Sequence, residues 1–173
     1  MAFLLTMQQC YAIIVTNINR NLEEDIMDKF DLFWKTMELC DWDNEGDDEL
    51  VLKPVINFLA SKEDSDIFMF EDLMSELLYN LDTKKLAEQC KKIDGCMSDD
   101  SFLYSRCVAL INGVDYYKKA KMGRCKEMWK MEFESLLYVP ESAWAKKHNK
   151  PESEYPHVSS FSYETGSNTD AWK

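Results

Sequence analysis

The feature that most constrains this chain is a set of apolar stripes at helical spacing. Ile67, Phe70, Leu73, Met74, Leu77, Leu78 and Leu81 recur at intervals of three and four residues. Only a helix gathers such positions onto one face. The stretch from about Glu63 to Leu81 is therefore expected to be helical and to bury that face against other elements.

The same period appears elsewhere. In the helix expected from Asp28 to about Cys40, Phe30, Phe33, Trp34 and Met37 make one stripe. DWDNEGDDE then breaks the pattern. Asp47 or Asp48 offers a carboxylate to the N-terminus of a second helix. That helix carries Leu52, Val55, Ile56 and Leu59, with Pro54 in its first turn or at a kink. Asp82 or Thr83 caps a fourth helix with Leu86, Cys90 and Ile93 inward, stopped by Asp94-Gly95. Ser98 caps a fifth, carrying Phe102, Arg106, Ala109 and Leu110 and ending at Asn112-Gly113. A short helix around Tyr116 to Lys121 follows, then a longer one from about Lys126 to Lys147, bent or split at Pro140. The expected fold is all-α: a compact bundle of about six or seven helices with an irregular C-terminal tail.

The two ends read differently. In residues 1–26, Tyr11 to Val15 is a short β-prone apolar run followed by the turn-like NINRN. The codons for Glu23-Glu24-Asp25-Ile26 can spell a purine-rich ribosome-binding sequence just ahead of Met27. The expectation is that translation starts at Met27 and that residues 1–26 are leader. The rival is a genuine N-terminal element packed on the domain. Residues 27–150 then form the helical domain, and 151–173, rich in Pro, Ser and Gly, the tail.

Charge narrows the partners. The net charge is −12, a field that repels phosphate backbones and anionic lipid, so neither nucleic acid nor a membrane is expected as partner. Residues 41–76 hold twelve acids against Lys53 and Lys62. Residues 118–130 hold six basic residues against Glu127. Concentrating like charges costs self-repulsion, so the acidic segment is a candidate for meeting a protein with a basic surface. Asp47, Asp48, Asp64 and Asp66 are its candidate contacts. The plain alternative is that helices two and three turn their polar faces to water.

Six cysteines are scattered through helix-like segments without a C-x-x-C pair, in a chain long enough to fold without staples. Reduced, mostly buried thiols in the cytoplasm are expected. The start has no basic region ahead of its short apolar runs, so no secretory signal or membrane span is read there.

Catalytic and metal motifs are incomplete. Asp41-x-Asp43-x-Glu45-Gly46 imitates a calcium loop, but Leu52 stands where the bidentate Glu belongs and Asp48 where an apolar residue belongs. His148 and His157 have no cysteine beside them, so no metal and no cofactor is expected. The remaining candidates for chemistry are Asp99 and Asp100, with Arg106 two turns further on. Paired carboxylates can share a proton or hold a cation, and an arginine can hold an anion. Directly after an N-cap serine, however, the helix dipole alone favours acids.

Two stretches carry a family likeness. Phe30-Asp31-Leu32-Phe33-Trp34-Lys35 is similar to an opening F-W helix. Gly95-Cys96-Met97-Ser98-Asp99-Asp100-Ser101-Phe102, continuing to Arg106 and Gly113, is similar to G-x-x-S-D-D-x-F-x-x-F-R-x-W-L followed by a glycine and an aromatic. Glu134 to Val139, through Ala143, adds a third match. On these residues the chain resembles the domain of unknown function 4240 family, small and mainly bacterial helical domains, from about Met27 to Lys150. Ser105 and Val108 depart from it, standing where the family has Phe and Trp. The resemblance implies a helical fold and no particular reaction.

With small size, strong acidity and no complete catalytic set, the expected function is an acidic protein-binding module of the immunity or inhibitor type. The alternative is an enzyme or small-ligand domain using Asp99, Asp100 and Arg106.

Overall fold

The computed structural model describes residues 29–95 and 98–173. The chain divides into two units, residues 1–32 and 33–173. Of the first only residues 29–32 are described, and they are helical. The expectations for residues 1–26, for a start at Met27, and for Cys10 and Cys96 lie outside the described residues.

The described chain is all-α, with seven α-helices and no strand. Helix α1 covers residues 29–37 and ends in a tight turn, three residues short of Cys40. The others are α2 (Asp48–Ala60), α3 (Asp64–Leu81), α4 (Lys84–Asp94), α5 (Asp99–Ile111), α6 (Gly113–Lys121) and α7 (Val139–His148). Short 3₁₀ segments fill the connections at Trp42–Asn44, Lys126–Lys130, Glu134–Tyr138 and Glu152–Glu154. No described helix is long and apolar enough to cross a membrane.

Most of the stripe residues become the core, while Phe30, Ile56 and Ile93 are only half-buried. Every member of the Ile67-to-Leu81 stripe is buried, as are Phe33, Trp34, Met37, Val55, Leu59, Leu86 and Cys90. Each large side chain so enclosed contributes about 1.5–3 kcal/mol by area. Helix ends follow local chemistry. Asp47 accepts the Leu50 N–H at α2, Thr83 the Leu86 N–H at α4, and Ser98 the Ser101 N–H at α5. Gly95 closes α4 at φ 84°, a conformation that costs a glycine little. Pro54 lies inside α2 beyond its first turn and cannot donate to the Leu50 carbonyl.

The long helix expected from Lys126 to Lys147 is not there. Two 3₁₀ segments occupy its first half, and Pro140 sits in the first turn of α7, where its missing N–H costs nothing. Tertiary bonds hold the irregular part. Trp129 Nε1 donates to Gln89 on α4, Ser105 Oγ on α5 donates to the Met131 carbonyl, and Phe133 N–H donates to the Tyr104 carbonyl. Helix α7 packs on α2 and α3. Its basic last turn meets the first turn of α3: Lys147 Nζ lies 2.7 Å and His148 Nε2 3.0 Å from Asp64.

Candidate functional site

Helix α5 is buried on nearly every side from Phe102 to Ile111, so Arg106 cannot reach water and is 0% exposed. Its charge is met internally. Nη1 donates to the Leu78 carbonyl at 2.9 Å. Nη2 donates to the Tyr163 carbonyl at 2.9 Å and to Thr165 Oγ1 at 3.2 Å. Burial pulls the guanidinium pKa below its usual value, and the negative charge of Asp82 opposes that. Asp82 is also 0% exposed. Its two carboxylate oxygens accept from Gly166 N–H, Asn168 N–H, Trp172 Nε1 and Ser167 Oγ. Thus both buried charges face the chain's own C-terminal tail. Asn168 Nδ2 to the Tyr79 carbonyl and Lys84 N–H to the Ala171 carbonyl complete this clamp.

Asp99 and Asp100 are exposed in the first turn of α5, behind a capping box formed by Ser98 and Ser101. They share no hydrogen bond with Arg106. The connection between them runs through backbone: Thr165 Oγ1 accepts from Arg106 and donates to the Asp99 carbonyl at 2.8 Å.

The four acidic candidates divide. Asp48 accepts from Ser135 Oγ at 2.9 Å, tying α2 to the segment before α7. Asp64 holds Lys147 and His148, and these partners keep its carboxyl below the usual range. Asp47 is exposed and caps α2, and Asp66 is half-buried in the first turn of α3.

Beside Asp47 and Asp48 opens a groove of about 690 Å³. Val51, Val108, Ile111 and Phe133 are among the apolar residues lining it, with Trp42 and Met131 still 45% and 42% exposed. The Trp42 and Phe133 rings lie 6.3 Å apart. Glu45, Asp48, Glu127 and Glu132 also line it, and among the described residues no Lys or Arg does. Sequence reading missed this groove because Phe133 and Met131 fall in the supposed long helix. Trp42, a large aromatic inside an acidic run, was the legible signal.

Burial raises the thiols of Cys40 and Cys90 to about 11 and that of Cys107 to about 12, which suppresses thiolate. Among the described residues no three His, Cys, Asp or Glu side chains are placed to hold one metal ion.

Comparison with known proteins gives one match. The family model described as Protein of unknown function (DUF4240) covers residues 27–146. No curated protein and no solved structure matches the chain. Val108 lines the groove, and Ser105 holds the carbonyl of Met131, which also lines it.

Proposed function

From the premise that the chain belongs to the DUF4240 family, we propose that it is an acidic protein-binding module of the inhibitor or immunity type, receiving a basic partner at the Trp42 groove. The observation that carries this reading is the groove itself: an apolar floor with two large exposed side chains and, among the described residues, carboxylates as the only charged lining. Such a surface takes an apolar anchor in its floor and steers a cationic neighbour by charge. The free, buried Cys40, Cys90, Cys107 and Cys125 suit the cytoplasm.

The test begins with native complexes purified from the source organism. Glu45, Asp66 and Glu132 are then reversed to Lys. Asp47, Asp48 and Asp64 are left alone, since Asp47 caps α2 and the others hold Ser135, Lys147 and His148. Association with the partner is expected to be fast at low salt, to slow as salt rises, and to lose most of that salt dependence in the variant. An unchanged on-rate and salt slope in the variant refutes the reading.

A further inference from the structure

The basic run that begins at Lys118 folds into a knob at the end of α6. Lys118, Lys119 and Lys121 lie in the last turn of that helix. Met122 caps it and stands 48% exposed. Gly123 then turns the chain at φ 72°, and Arg124 N–H donates back to the Lys119 carbonyl at 3.0 Å. On α4, Gln89 Nε2 donates to the Gly123 carbonyl at 3.0 Å, and Gln89 Oε1 accepts from Trp129 Nε1 at 2.8 Å. The knob is therefore fixed to α4 and, through Gln89, to the segment around Trp129.

Lysines in a last turn suit the helix dipole, and that alone accounts for Lys118, Lys119 and Lys121. It does not account for Arg124 and Lys126, exposed beyond the helix, or for a large apolar side chain at the tip. Among the described residues no ion pair engages Lys118, Lys119, Lys121, Arg124 or Lys126.

The knob is the inverse of the Trp42 groove. One offers an exposed apolar side chain ringed by cations. The other offers an apolar floor with Trp42 and Met131 partly exposed, and carboxylates at Glu45, Asp48, Glu127 and Glu132. Among the described residues neither Met122 nor any Lys or Arg lines the groove of its own chain, so within one copy the two surfaces stay unmatched. Between two copies they match in charge and in polarity. Methionine is unbranched and polarisable, and it adapts to an aromatic wall such as that of Trp42 and Phe133.

We propose that a second copy of this chain docks at the Trp42 groove, with Met122 entering the apolar floor and Lys121, Arg124 and Lys126 facing the carboxylates. The inference rests on the groove reading above and names a further occupant for it. Each copy carries a net charge of −12, and that repulsion opposes association. At about 0.1 M salt it is screened beyond about 10 Å, whereas charges brought into contact are screened far less. A contact of this size is weak, with Kd between about 1 μM and about 1 mM. The second copy and a basic partner take the same floor, so partner binding disperses the pair.

The test is sedimentation equilibrium of the full chain at about 0.1 M salt and up to about 1 mM protein. A groove variant, Trp42→Ala, and a knob variant, Met122→Ser with Arg124→Glu, change only exposed side chains. The parent should self-associate, and each variant alone should do so about tenfold more weakly or worse. An equimolar mixture of the two variants should pair one to one and more tightly than either alone, because the contact joins unlike patches and one intact groove and one intact knob remain. A short peptide alternating arginine with leucine, titrated into the parent and the knob variant, reports on the groove separately. The proposal is overturned if the parent stays monomeric, if either variant associates as the parent does, or if the mixture fails to pair. Peptide binding in that event leaves the groove reading standing without the second copy, and its absence sinks both.

Discussion

The Arg106–Asp82 clamp and the Trp42 groove use the same kinds of residue to opposite ends. In the clamp, two wholly buried charges find their hydrogen-bond partners within the chain, mostly in the tail. In the groove, aromatic and apolar side chains remain partly exposed, and among the described residues the charged lining is carboxylate alone. A buried charge that is fully partnered has been consumed by the architecture. Concave apolar surface with uncompensated charge is left over for something else to cover. Residue type alone does not separate these roles, but the state of each group's partners does.

Substitutions at the clamp should sharpen the contrast most. Asp82→Ala leaves the Gly166, Asn168 and Trp172 donors without an acceptor beside a buried guanidinium. It should cost about 3–5 kcal/mol in urea denaturation. A smaller loss, on the order of 1 kcal/mol in total, is expected for Asp99→Asn with Asp100→Asn, through weaker electrostatics at the start of α5. If stability holds in that variant while binding or activity disappears, Asp99 and Asp100 belong to a site.

Glu71→Gln should act with the opposite sign. A carboxyl whose pKa is raised in the folded state favours folding at low pH and opposes it as pH climbs through the raised value. The variant should therefore be somewhat more stable than the parent at neutral pH. The two should converge below the ordinary carboxyl range, as read from denaturation midpoints across pH. The smallest stability effect is expected at the groove. Trp42→Ala should shift unfolding by less than about 1 kcal/mol and yet abolish partner binding. A large stability loss there would move Trp42 into the architectural class.

Much of the helical scaffold was legible because apolar period and capping residues act over a few neighbours. The α3 stripe and the caps at Asp47, Thr83 and Ser98 are of this kind. The segment from Lys126 to Tyr138 was not. Its conformation is held by Gln89, Ser105 and Tyr104, far away in sequence, and those bonds override its helical composition. The same distance hid the clamp. Nothing near Arg106 announces that its partners are Tyr163 and Thr165, and nothing near Asp82 announces Trp172. The acidic segment was visible as a charge count. Which of its members were already engaged, as Asp48 and Asp64 are, depended on Ser135, Lys147 and His148.

The most direct test of the distinction is fluorine NMR of the chain with its five tryptophans replaced by 5-fluorotryptophan. The Trp42 and Trp172 signals are assigned by Trp42→Phe and Trp172→Phe. A short peptide alternating arginine with leucine is then titrated in at low salt. The Trp42 resonance should move saturably and lose its response as salt is added, while the Trp172 resonance stays fixed in the clamp. Movement of Trp172 without Trp42, or a silent Trp42 at saturating peptide, would contradict the assignment of the groove to recognition and the clamp to architecture.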